Sequence, residues 1–355
     1  MSLEAVARVL EAAGPTLIVS HEDPDPDSIG SLLAARWALR RVRPGVPVEA
    51  ATPEPVPSSC QFLPGADEIL SPDEAQARGP WQTLWVLDCE PGRIGRLQPL
   101  VAAAQQLVNV DHHASNTQPW GHPAETRYID PEAAATGLLV YRLIRHWGLA
   151  LDREAATFIF TALSGDTGSF RYSNTTAEAL EAARQAVLAG ARPQEVAHNL
   201  YERRTLEELQ LLGRALSLLS RTQDGAIAWI ALPHSLVEGQ PAEAFDGLVN
   251  YPRMVEGVEV ALLFREVEPG RVRVSLRSQV WADVSQIAAR FGGGGHPRAA
   301  GCTVSLPLAQ AVEQVVGAVG ELLAQGPSSG DPAAGTLDVW GDGAAQGLEK
   351  GAGVP

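Results

Sequence analysis

The sequence predicts a two-domain α/β protein whose larger, N-terminal domain is a parallel sheet flanked by helices. The chain has 355 residues, 45% of them hydrophobic, which is enough for two domains with a sizeable core. Residues 1–200 alternate short apolar runs with helical patterns, and this alternation is typical of parallel sheets covered by helices. Beyond about residue 222 the pattern changes to strands joined by a hairpin and followed by helices, which indicates a smaller α/β domain.

The first domain is predicted to span residues 1–200. Apolar, β-branched runs indicate buried strands. These strands are expected at 16–20, 46–50, 83–87 and 106–110. Prolines and capping side chains mark helix starts, and glycines mark helix ends. Helices are expected at 32–37, 131–146 and 152–163, and from the cap Thr176 to residue 188.

A helical linker over 201–222 is predicted to lead into a second domain over 223–325. Its strands are expected at 226–231, 258–266 and 272–277, and its helices at 283–291 and 308–323. Pro269 and Gly270 predict a hairpin turn between the last two strands. The tail, 326–355, is rich in Gly, Pro, Ser and Ala and is predicted to be disordered.

Composition limits the partners of the protein and its compartment. The formal net charge is -15, so long nucleic acid is not expected to bind, although a local arginine pocket could hold a short anion. Cys60, Cys89 and Cys302 lie far apart without a CxxC pair, which indicates a reducing compartment. Neither a signal peptide nor an apolar run long enough to span a bilayer is recognised, so we expect a cytoplasmic protein without a membrane partner.

The stretch 21–31 (HEDPDPDSIGS) places one imidazole and several carboxylates between a predicted strand and a predicted helix. Ligands bind at this edge of open α/β sheets. Asp25 and Asp27 would point to one side if the backbone were extended. Crowded carboxylates repel one another, and a divalent cation such as manganese or zinc would remove that cost. The alternative is a capped helix start, with Asp27 or Ser28 as the N-cap and the other acids solvated.

Three further clusters occupy similar positions. Asp88 follows one strand, the run 111–113 (DHH) follows another, and Asp166 lies in a glycine-punctuated loop after a helix. Each alone could be a cap or turn residue, and the paired histidines could be one buried histidine with a solvated neighbour. Because these groups share one edge of the sheet, we expect them to converge and to hold two metal ions.

Taken together, these motifs resemble those of the DHH phosphoesterases. The resemblance covers about residues 15–325 and is carried by His21, Pro24, Asp25, Asp27, Gly30, Ser31, Asp88, Asp111, His112, His113 and the run 165–168 (GDTG). The run 292–301 (GGGGHPRAAG) is similar to the glycine-rich signature of the DHHA1 domain that these enzymes carry. Within the family, the segment 169–176 (SFRYSNTT) is most similar to the NrnA subfamily.

The resemblance implies a di-manganese centre, with Mg²⁺ or Co²⁺ as possible substitutes. One ion would be held by His21, Asp25 and Asp88. The other would be held by Asp27, Asp88, His112 and Asp166, with Asp88 bridging the two. His113 would face the scissile phosphate and stabilise or protonate it, and Asp111 would orient the histidine pair.

The resemblance also implies that the second domain grips the nucleotide and that the active site lies in the cleft between the domains. The implied contacts are Gly293, Gly294, Gly295, His296, Arg298, Arg277 and Ser278. Glycines let backbone N–H groups approach an anion closely, whereas the alternative for this run is a flexible linker. Arg171 could contact a phosphate or form only a helix–loop ion pair.

We therefore expect hydrolysis of very short oligoribonucleotides and removal of the 3′ phosphate from 3′-phosphoadenosine 5′-phosphate (pAp), with a homodimer possible from the resemblance. Alternatives within the family are a RecJ-like single-strand DNA exonuclease and a phosphodiesterase for linear or cyclic dinucleotides. An inorganic pyrophosphatase shares the N-terminal motifs, but the glycine-rich signature argues against it. The non-enzymatic alternative is a metal-stabilised nucleotide sensor.

Overall fold

A computed structural model describes residues 2–245 and 247–326, except for the side chains of Ala242, Glu243 and His296. Contacts divide the chain into two compact units, Met1–Arg203 and Arg204–Pro355. The tail predicted to be disordered lies outside the described residues from 327 onward. Within the described residues, no helix combines the length and apolar character needed to cross a membrane.

The first unit contains a five-stranded sheet in the order β2-β1-β3-β4-β5, and all neighbouring strands are parallel. Its strands are β1 Thr16–Val19, β2 Val48–Ala51, β3 Thr83–Leu87, β4 Gln106–Asp111 and β5 Glu125–Ile129. Its helices are α1 Leu3–Glu11, α2 Pro26–Val42, α3 Pro72–Ala77, α4 Pro99–Ala103, α5 Thr136–His146, α6 Arg153–Asp166, α7 Ala177–Leu188 and α8 Pro193–Ala197. A π-helical turn, His198–Glu202, follows α8.

The central strand β3 shows why this sheet is apolar on both faces. Trp85 and Leu87 pack into one hydrophobic cluster, and Leu84 and Val86 pack into the cluster on the other face. All five residues of the strand are buried. The strands of a parallel sheet that is covered on both faces have continuous apolar sequences, and this pattern identified β3 in the sequence.

Two features of the first unit differ from the sequence prediction. The helix expected from residue 131 begins at Thr136, because Asp130 forms a turn by accepting hydrogen bonds from the N–H groups of Glu132 and Ala133. Strand β5 was not predicted, since its five residues include Glu125 and Arg127 and only one of them is fully buried. An edge strand of this kind lacks the apolar run used to recognise the others.

The second unit contains a six-stranded sheet in the order β10-β11-β9-β8-β7-β6. Its strands are β6 Leu219–Arg221, β7 Ile227–Leu232, β8 Val260–Glu268, β9 Arg271–Ser278, β10 Gly294–His296 and β11 Ala299–Val304. Its helices are α9 Leu206–Leu216, α10 His234–Val237, α11 Asn250–Arg253, α12 Val284–Arg290 and α13 Leu308–Ala324. Only the β7–β8 pair is parallel among the described neighbours.

Alternating burial along β9 shows that one face of this sheet is covered. Val272, Val274 and Leu276 are buried against a cluster that includes residues of α12 and α13. The predicted helical linker, 201–222, contains a shorter helix than expected, and its last residues form β6. This strand pairs antiparallel with β7, so backbone pairing at the sheet edge replaces the helix after Leu216.

Candidate active site

The predicted site residues of the first unit gather at one edge of the parallel sheet. His21 lies two residues after the end of β1, Asp88 directly follows β3, and Asp111 is the last residue of β4. These strands are parallel, so their carboxyl ends meet at the same edge. Asp27 reaches this edge from the first turn of α2, and Asp166 reaches it from the last residue of α6. The loop predicted for Asp166 is therefore the end of a helix.

The helix α2 begins at Pro26, and its N-cap is Asp25. Asp25 Oδ1 accepts a hydrogen bond from the N–H of Ser28 at 2.9 Å, and Ser28 Oγ accepts one from the N–H of Asp25 at 2.9 Å. The prediction that Asp27 or Ser28 is the N-cap was wrong, as was the extended backbone assumed through Asp27. Proline at the first helical position stabilises a helix start, and Pro26 places the N-cap two residues before Asp27.

Asp27 is fully buried and is held by the start of α5. Its Oδ2 accepts a hydrogen bond from the N–H of Thr136 at 2.7 Å, and its Oδ1 accepts bonds from the N–H of Gly137 at 2.9 Å and from Ser31 Oγ at 3.0 Å. Burial raises the pKa of Asp27 well above its usual range, and the nearby carboxylates of Asp88 and Asp166 raise it further. The hydrogen bonds thus hold a carboxylate in a place where negative charge accumulates.

Asp88 lies at the centre of the cluster and is 1% exposed. Its Oδ2 is 3.3 Å from His21 Nε2, and its Oδ1 is 3.6 Å from His112 Nε2 and 3.7 Å from His113 Nδ1. Thr136 Oγ1 donates a hydrogen bond to Asp88 Oδ1 at 2.8 Å. A single carboxylate therefore contacts three imidazoles, which suits a ligand shared between two positions.

Backbone carbonyls orient two of the three imidazoles. His21 Nδ1 lies 2.6 Å from the carbonyl oxygen of Glu22, and His112 Nδ1 lies 3.1 Å from that of Ala133. A carbonyl oxygen can only accept, so each Nδ1 carries the proton. Each Nε2 is then the nitrogen that faces the carboxylates, and this is the orientation in which histidine binds a metal ion.

The imidazoles and carboxylates shift one another's titration strongly. Burial alone would lower the pKa of His21, but Asp88 and Asp25 outweigh burial and raise it to about 9. Burial would likewise lower the pKa of His112, yet Asp166, Asp88 and Asp27 raise it well above its usual range. The acids thus favour positive charge at this edge of the sheet, and a divalent cation would satisfy that preference.

The donor atoms form three overlapping groups that could hold a metal ion. The groups are His21–Asp25–Asp88, Asp27–His112–Asp166 and Asp88–His112–His113, and within each group the ligand atoms lie within 4.8 Å of one another. All six side chains predicted as metal ligands therefore come together. Carboxylate and imidazole donors suit manganese and other first-row divalent metals, so the residues present fit such ions.

Asp111 holds His113 on the other side of the cluster. Its Oδ1 lies 2.7 Å from His113 Nδ1, and its Oδ2 accepts a hydrogen bond from Asn116 Nδ2 at 2.8 Å. Asn116 Nδ2 also donates to Asn109 Oδ1 at 2.9 Å. Burial would raise the pKa of Asp111, but these hydrogen bonds outweigh it and lower the pKa, so Asp111 stays charged.

Sequence reasoning missed three of the supporting residues. Asn109 could have been noticed, because a polar residue interrupts an otherwise apolar strand at that position. Asn116 and Thr136 carry no comparable signal, since their contacts to Asp111 and Asp88 depend on how distant segments fold.

Arg171 lies in the turn that follows α6 and is exposed. Its Nε donates a hydrogen bond to the carbonyl oxygen of Gly168 at 2.5 Å. Gly168, Ser169 and Phe170 all have positive φ, so the chain turns sharply directly after Asp166. The described hydrogen bond of Arg171 belongs to this turn, no helix–loop ion pair is among its described contacts, and its contact with a phosphate stays a prediction.

The residues predicted to bind a nucleotide lie together at one end of the sheet in the second unit. Arg277 and Ser278 end β9, Arg298 lies in the turn between β10 and β11, and the predicted glycines enter or form β10. Arg298 Nη1 donates a hydrogen bond to the carbonyl oxygen of Ala282 at 3.0 Å, and the N–H of Ser278 donates to the carbonyl oxygen of Arg298 at 3.1 Å. These contacts tie the turn to the end of β9.

The glycine run leads into and partly forms strand β10, so it is not a flexible linker. A Cβ on Gly293 would lie 2.1 Å from the carbonyl oxygen of Gly301, and one on Gly295 would lie 2.5 Å from that of Ala299. Gly295 also has a φ of +141°, a conformation that other residues rarely adopt. The close pairing of β10 with β11 therefore requires glycine at both positions.

Comparison with known proteins gives matches to two protein-family models and to several curated proteins. The N-terminal domain of the DHH family matches residues 15–163, and the DHHA1 domain matches residues 233–325. The bifunctional oligoribonuclease and PAP phosphatase NrnA of Thermus thermophilus is 36% identical over 324 residues, which cover 90% of this chain and 94% of that protein. The protein of the same name from Bacillus subtilis is 27% identical over 303 residues, which cover 84% of this chain and 91% of that protein.

A solved structure supports the fold over nearly the whole length. An exopolyphosphatase-related protein from Bacteroides fragilis superposes with a TM-score of 0.83 at 27% sequence identity, and the match covers 91% of this chain and 97% of that chain. The α/β fold predicted from the sequence, with a parallel sheet in the first domain and a second, smaller α/β domain, is confirmed.

Proposed function

This chain belongs to the DHH family and carries its DHHA1 domain, and from that membership we propose a metal-dependent phosphoesterase that acts on short nucleotides. Its substrates are short oligoribonucleotides, which it hydrolyses to mononucleotides, and pAp, from which it removes the 3′ phosphate. The names of the Thermus and Bacillus relatives support this choice of substrates. The observation that carries the proposal is the set of three overlapping His/Asp groups around Asp88 and His112.

The proposal includes two divalent ions, with manganese as the native metal. His21, Asp25 and Asp88 would hold one ion, and Asp27, Asp88, His112 and Asp166 would hold the other. Two ions about 3.5–4 Å apart acidify a water molecule and stabilise the phosphoryl oxygens during in-line displacement. The overlap of the groups at Asp88 and the imidazole and carboxylate donors support this assignment, and Mg²⁺ or Co²⁺ remain substitutes.

His113 would act on the scissile phosphate. Burial lowers its pKa, but the hydrogen bond with Asp111 and the charge of Asp88 outweigh burial and raise it. Asp111 accepts from the backbone N–H of His113 at 3.0 Å as well as contacting the ring, so the imidazole is held in one orientation. A histidine that is held in this way and favours its charged form can stabilise a phosphoryl oxygen or donate a proton to the leaving group.

In this proposal the catalytic domain spans residues 1–200, a helical linker spans 201–222, and the second domain, 223–325, supplies most of the contacts to the substrate. Arg277, Arg298 and His296 would contact phosphates, and the backbone of Gly293–Gly295 and Ser278 would approach the sugar or base. Their position at one end of a sheet supports a shared role. Arg171 remains a candidate phosphate contact. We also propose a cytoplasmic enzyme, in line with its three free cysteines, that forms a homodimer and does not bind long nucleic acid.

Product analysis tests the proposed function. The purified protein is incubated with MnCl₂ and, separately, with labelled di- to pentanucleotides of RNA, pAp, cyclic di-AMP, pyrophosphate and a long DNA strand. Chromatography should show mononucleotides from the short RNAs and AMP from pAp, and chelation with EDTA should abolish both products. Preferential hydrolysis of long DNA, of cyclic dinucleotide or of pyrophosphate would contradict the proposal. Tight nucleotide binding without product would favour a sensor.

A further inference from the structure

Two exposed tyrosines lie beside Asp166 and have no role in the proposed chemistry. The chain has five tyrosines, and Tyr172 and Tyr201, each 38% exposed, are the ones that present a large part of their ring to solvent. Both contact residues that lie within two positions of Asp166. Exposed aromatic rings next to a site for a phosphate ester are the usual means of holding a nucleobase.

The turn after α6 places the ring of Tyr172. Phe170 points into the core, where its ring centroid lies 5.6 Å from that of Phe160. The N–H groups of Arg171 and Tyr172 both donate to the carbonyl oxygen of Thr167, at 2.9 and 3.0 Å, so the chain folds back on itself. The ring of Tyr172 then covers Gly168, because a Cβ at that position would lie 2.3 Å from Tyr172 Cζ.

A separate element places the ring of Tyr201 near the same turn. Tyr201 lies in the π-helical turn after α8, and its hydroxyl donates to the carbonyl oxygen of Ser164 at 2.6 Å. The same carbonyl oxygen of Ser164 accepts a hydrogen bond from the N–H of Ser169 at 2.7 Å, and Ser169 directly follows the Gly168 that the ring of Tyr172 covers. The two rings therefore contact the two sides of the short segment 164–168, which has Asp166 at its centre.

We propose that Tyr172 and Tyr201 form a stacking surface for a nucleobase of the substrate, next to Asp166. This inference rests on the proposed function and specifies one of its subsites, which lies in the first domain. Each nucleobase has a π face, so stacking on an aromatic ring binds short nucleotides of any sequence. The Arg171 guanidinium is held on the same turn and adds positive charge beside the rings.

Fluorescence of a dinucleotide that contains 2-aminopurine tests the stacking directly. The probe carries a non-hydrolysable methylene phosphonate linkage and is titrated with the full-length protein in MgCl₂, and stacking on a tyrosine ring quenches its emission. Replacing Tyr172 or Tyr201 by Leu keeps an apolar side chain but removes the ring, and we expect about 10-fold weaker binding with loss of quenching. Tyr172→Phe keeps the ring and should bind as the wild type does.

Trp120→Ala provides the matched control. Trp120 is 41% exposed, and its described contacts are with Gly92 and Glu125, not with the segment 164–168 that both tyrosines contact. This variant should retain the wild-type affinity and quenching. Unchanged affinity and quenching in the Tyr172→Leu/Tyr201→Leu double variant, with its melting temperature preserved, would overturn the proposal.

A substrate that lacks one base separates stacking from a structural role. Hydrolysis of a dinucleotide and of the same molecule with an abasic ribose is compared in MnCl₂. In the Tyr→Leu variants KM should rise about 10-fold for the intact dinucleotide, while kcat and the KM of the abasic one stay unchanged. Equal losses on both substrates would contradict stacking. Absence of hydrolysis by the wild type would contradict the proposed function, and the fluorescence titration would still decide the stacking.

Discussion

At the scale of single residues, Asp88 combines features that few side chains share. It is buried, it lies within 4 Å of three imidazoles, and its backbone has a φ of +65°. That conformation is strained for most residues, although aspartate tolerates it better than others. The strain is sustained because the N–H of Asp88 donates to the carbonyl oxygen of Val110 on the neighbouring strand. From this position and chemistry we expect the proposed site to depend strongly on Asp88.

Asp88→Asn should lower kcat by more than about a thousandfold, because the amide keeps the shape but loses the charge that would be shared between two ions. Hydrolysis of a labelled dinucleotide measures the change, and the rise in melting temperature on adding Mn²⁺ should disappear with it. Asp73→Asn is the control, since Asp73 is an exposed partner of Arg96. A bridging ligand would serve both ions, so a kcat of Asp88→Asn within about 10-fold of the wild-type value would contradict the proposed site.

Thr136 is expected to position the site without touching a metal ion. Its hydroxyl donates to Asp88, and Thr136→Val removes that donor while keeping the shape of the side chain. Loss of a partner that supports a metal ligand typically costs about 10–100-fold in metal affinity. Calorimetric titration with Mn²⁺ should show this loss for Thr136→Val, and Thr136→Ser should restore most of the affinity. Equal affinities for the Val and Ser variants would show that the hydroxyl is not needed.

At the scale of elements, three helices of the first unit approach one another through glycine. A Cβ on Gly30 of α2 would lie 2.6 Å from the carbonyl oxygen of Phe158 in α6. One on Gly137 of α5 would lie 2.3 Å from Ala162 Cβ, and one on Gly165 of α6 would lie 2.8 Å from Pro26 Cβ. These contacts bring the helix ends that carry Asp27, Thr136 and Asp166 to the same place.

Gly137→Ala should therefore destabilise the first unit by about 1–3 kcal/mol, since the added methyl group overpacks the contact between α5 and α6. Urea unfolding of the metal-free protein measures this change. Gly317→Ala in α13 is the matched control, because nothing lies within 4 Å of the position where its Cβ would be. Alanine there should leave the stability unchanged or raise it by up to about 1 kcal/mol. If the Gly137→Ala variant is as stable as the wild type, α5 and α6 must be able to move apart to accommodate the methyl group.

Arg142 joins α5 to α7 and predicts a dependence of stability on pH. Its Nε and Nη2 donate to the two oxygens of Glu178 at 2.7 and 2.6 Å, and these bonds lower the pKa of Glu178. A lowered pKa in the folded state stabilises the protein above the ordinary glutamate pKa, and that stabilisation is lost as the pH falls through the lowered value.

Arg142→Met should therefore lower the free energy of unfolding by about 1 kcal/mol at pH 7. The expected loss is small because the Glu178 side chain is half exposed and solvent screens the ion pair. The difference between the variant and the wild type should shrink as the pH falls below the ordinary glutamate pKa. Urea unfolding at several pH values checks both statements. Arg184→Met in α7 is the control, because its pair with Glu181 is exposed. A difference that grows in acid would contradict the assignment.

Elements that are defined by local patterns were predictable, and those defined by distant contacts were not. Strand β3 and helix α7 with its cap Thr176 lie where the apolar run and the capping residue indicated. The N–H groups of Thr136 and Gly137 at the start of α5 donate to Asp27, more than 100 residues away in the chain, so no local pattern could reveal these contacts. The convergence of the side chains proposed to bind metal could be anticipated because strand ends meet at one edge of the sheet, whereas Thr136 and Asn116 act through contacts that only the folded chain creates.

At the scale of the whole molecule, charge limits which substrates the protein can hold. The formal net charge of -15 and 27 basic residues against 42 acidic ones give a surface that repels long phosphate backbones. Attraction to phosphate is then confined to the metal-binding cluster and a few arginines. Such a distribution favours substrates with few phosphates.

The rate of RNA hydrolysis should therefore fall as the substrate lengthens. We expect kcat/KM for a 24-nucleotide RNA to be at least about 10-fold below that for a dinucleotide, because each further phosphate meets the acidic surface. Steady-state rates across a length series at 50 and 200 mM salt measure this, and added salt should narrow the gap by screening the repulsion. Preference for the longer RNA at low salt would show that a basic channel exists.

The sharing of Asp88 and His112 among the three groups has a consequence for how the proposed ions are loaded. An ion at the first position would draw one Asp88 oxygen toward itself and leave the other oriented for a second ion. The first ion would also neutralise part of the acidic charge that both positions share, so the second ion would bind more weakly and the titration curve would be shallower than that of independent sites. Dilution into a chelator would then remove the two ions one after the other, and a half-loaded form would be populated between the fully loaded and the metal-free states.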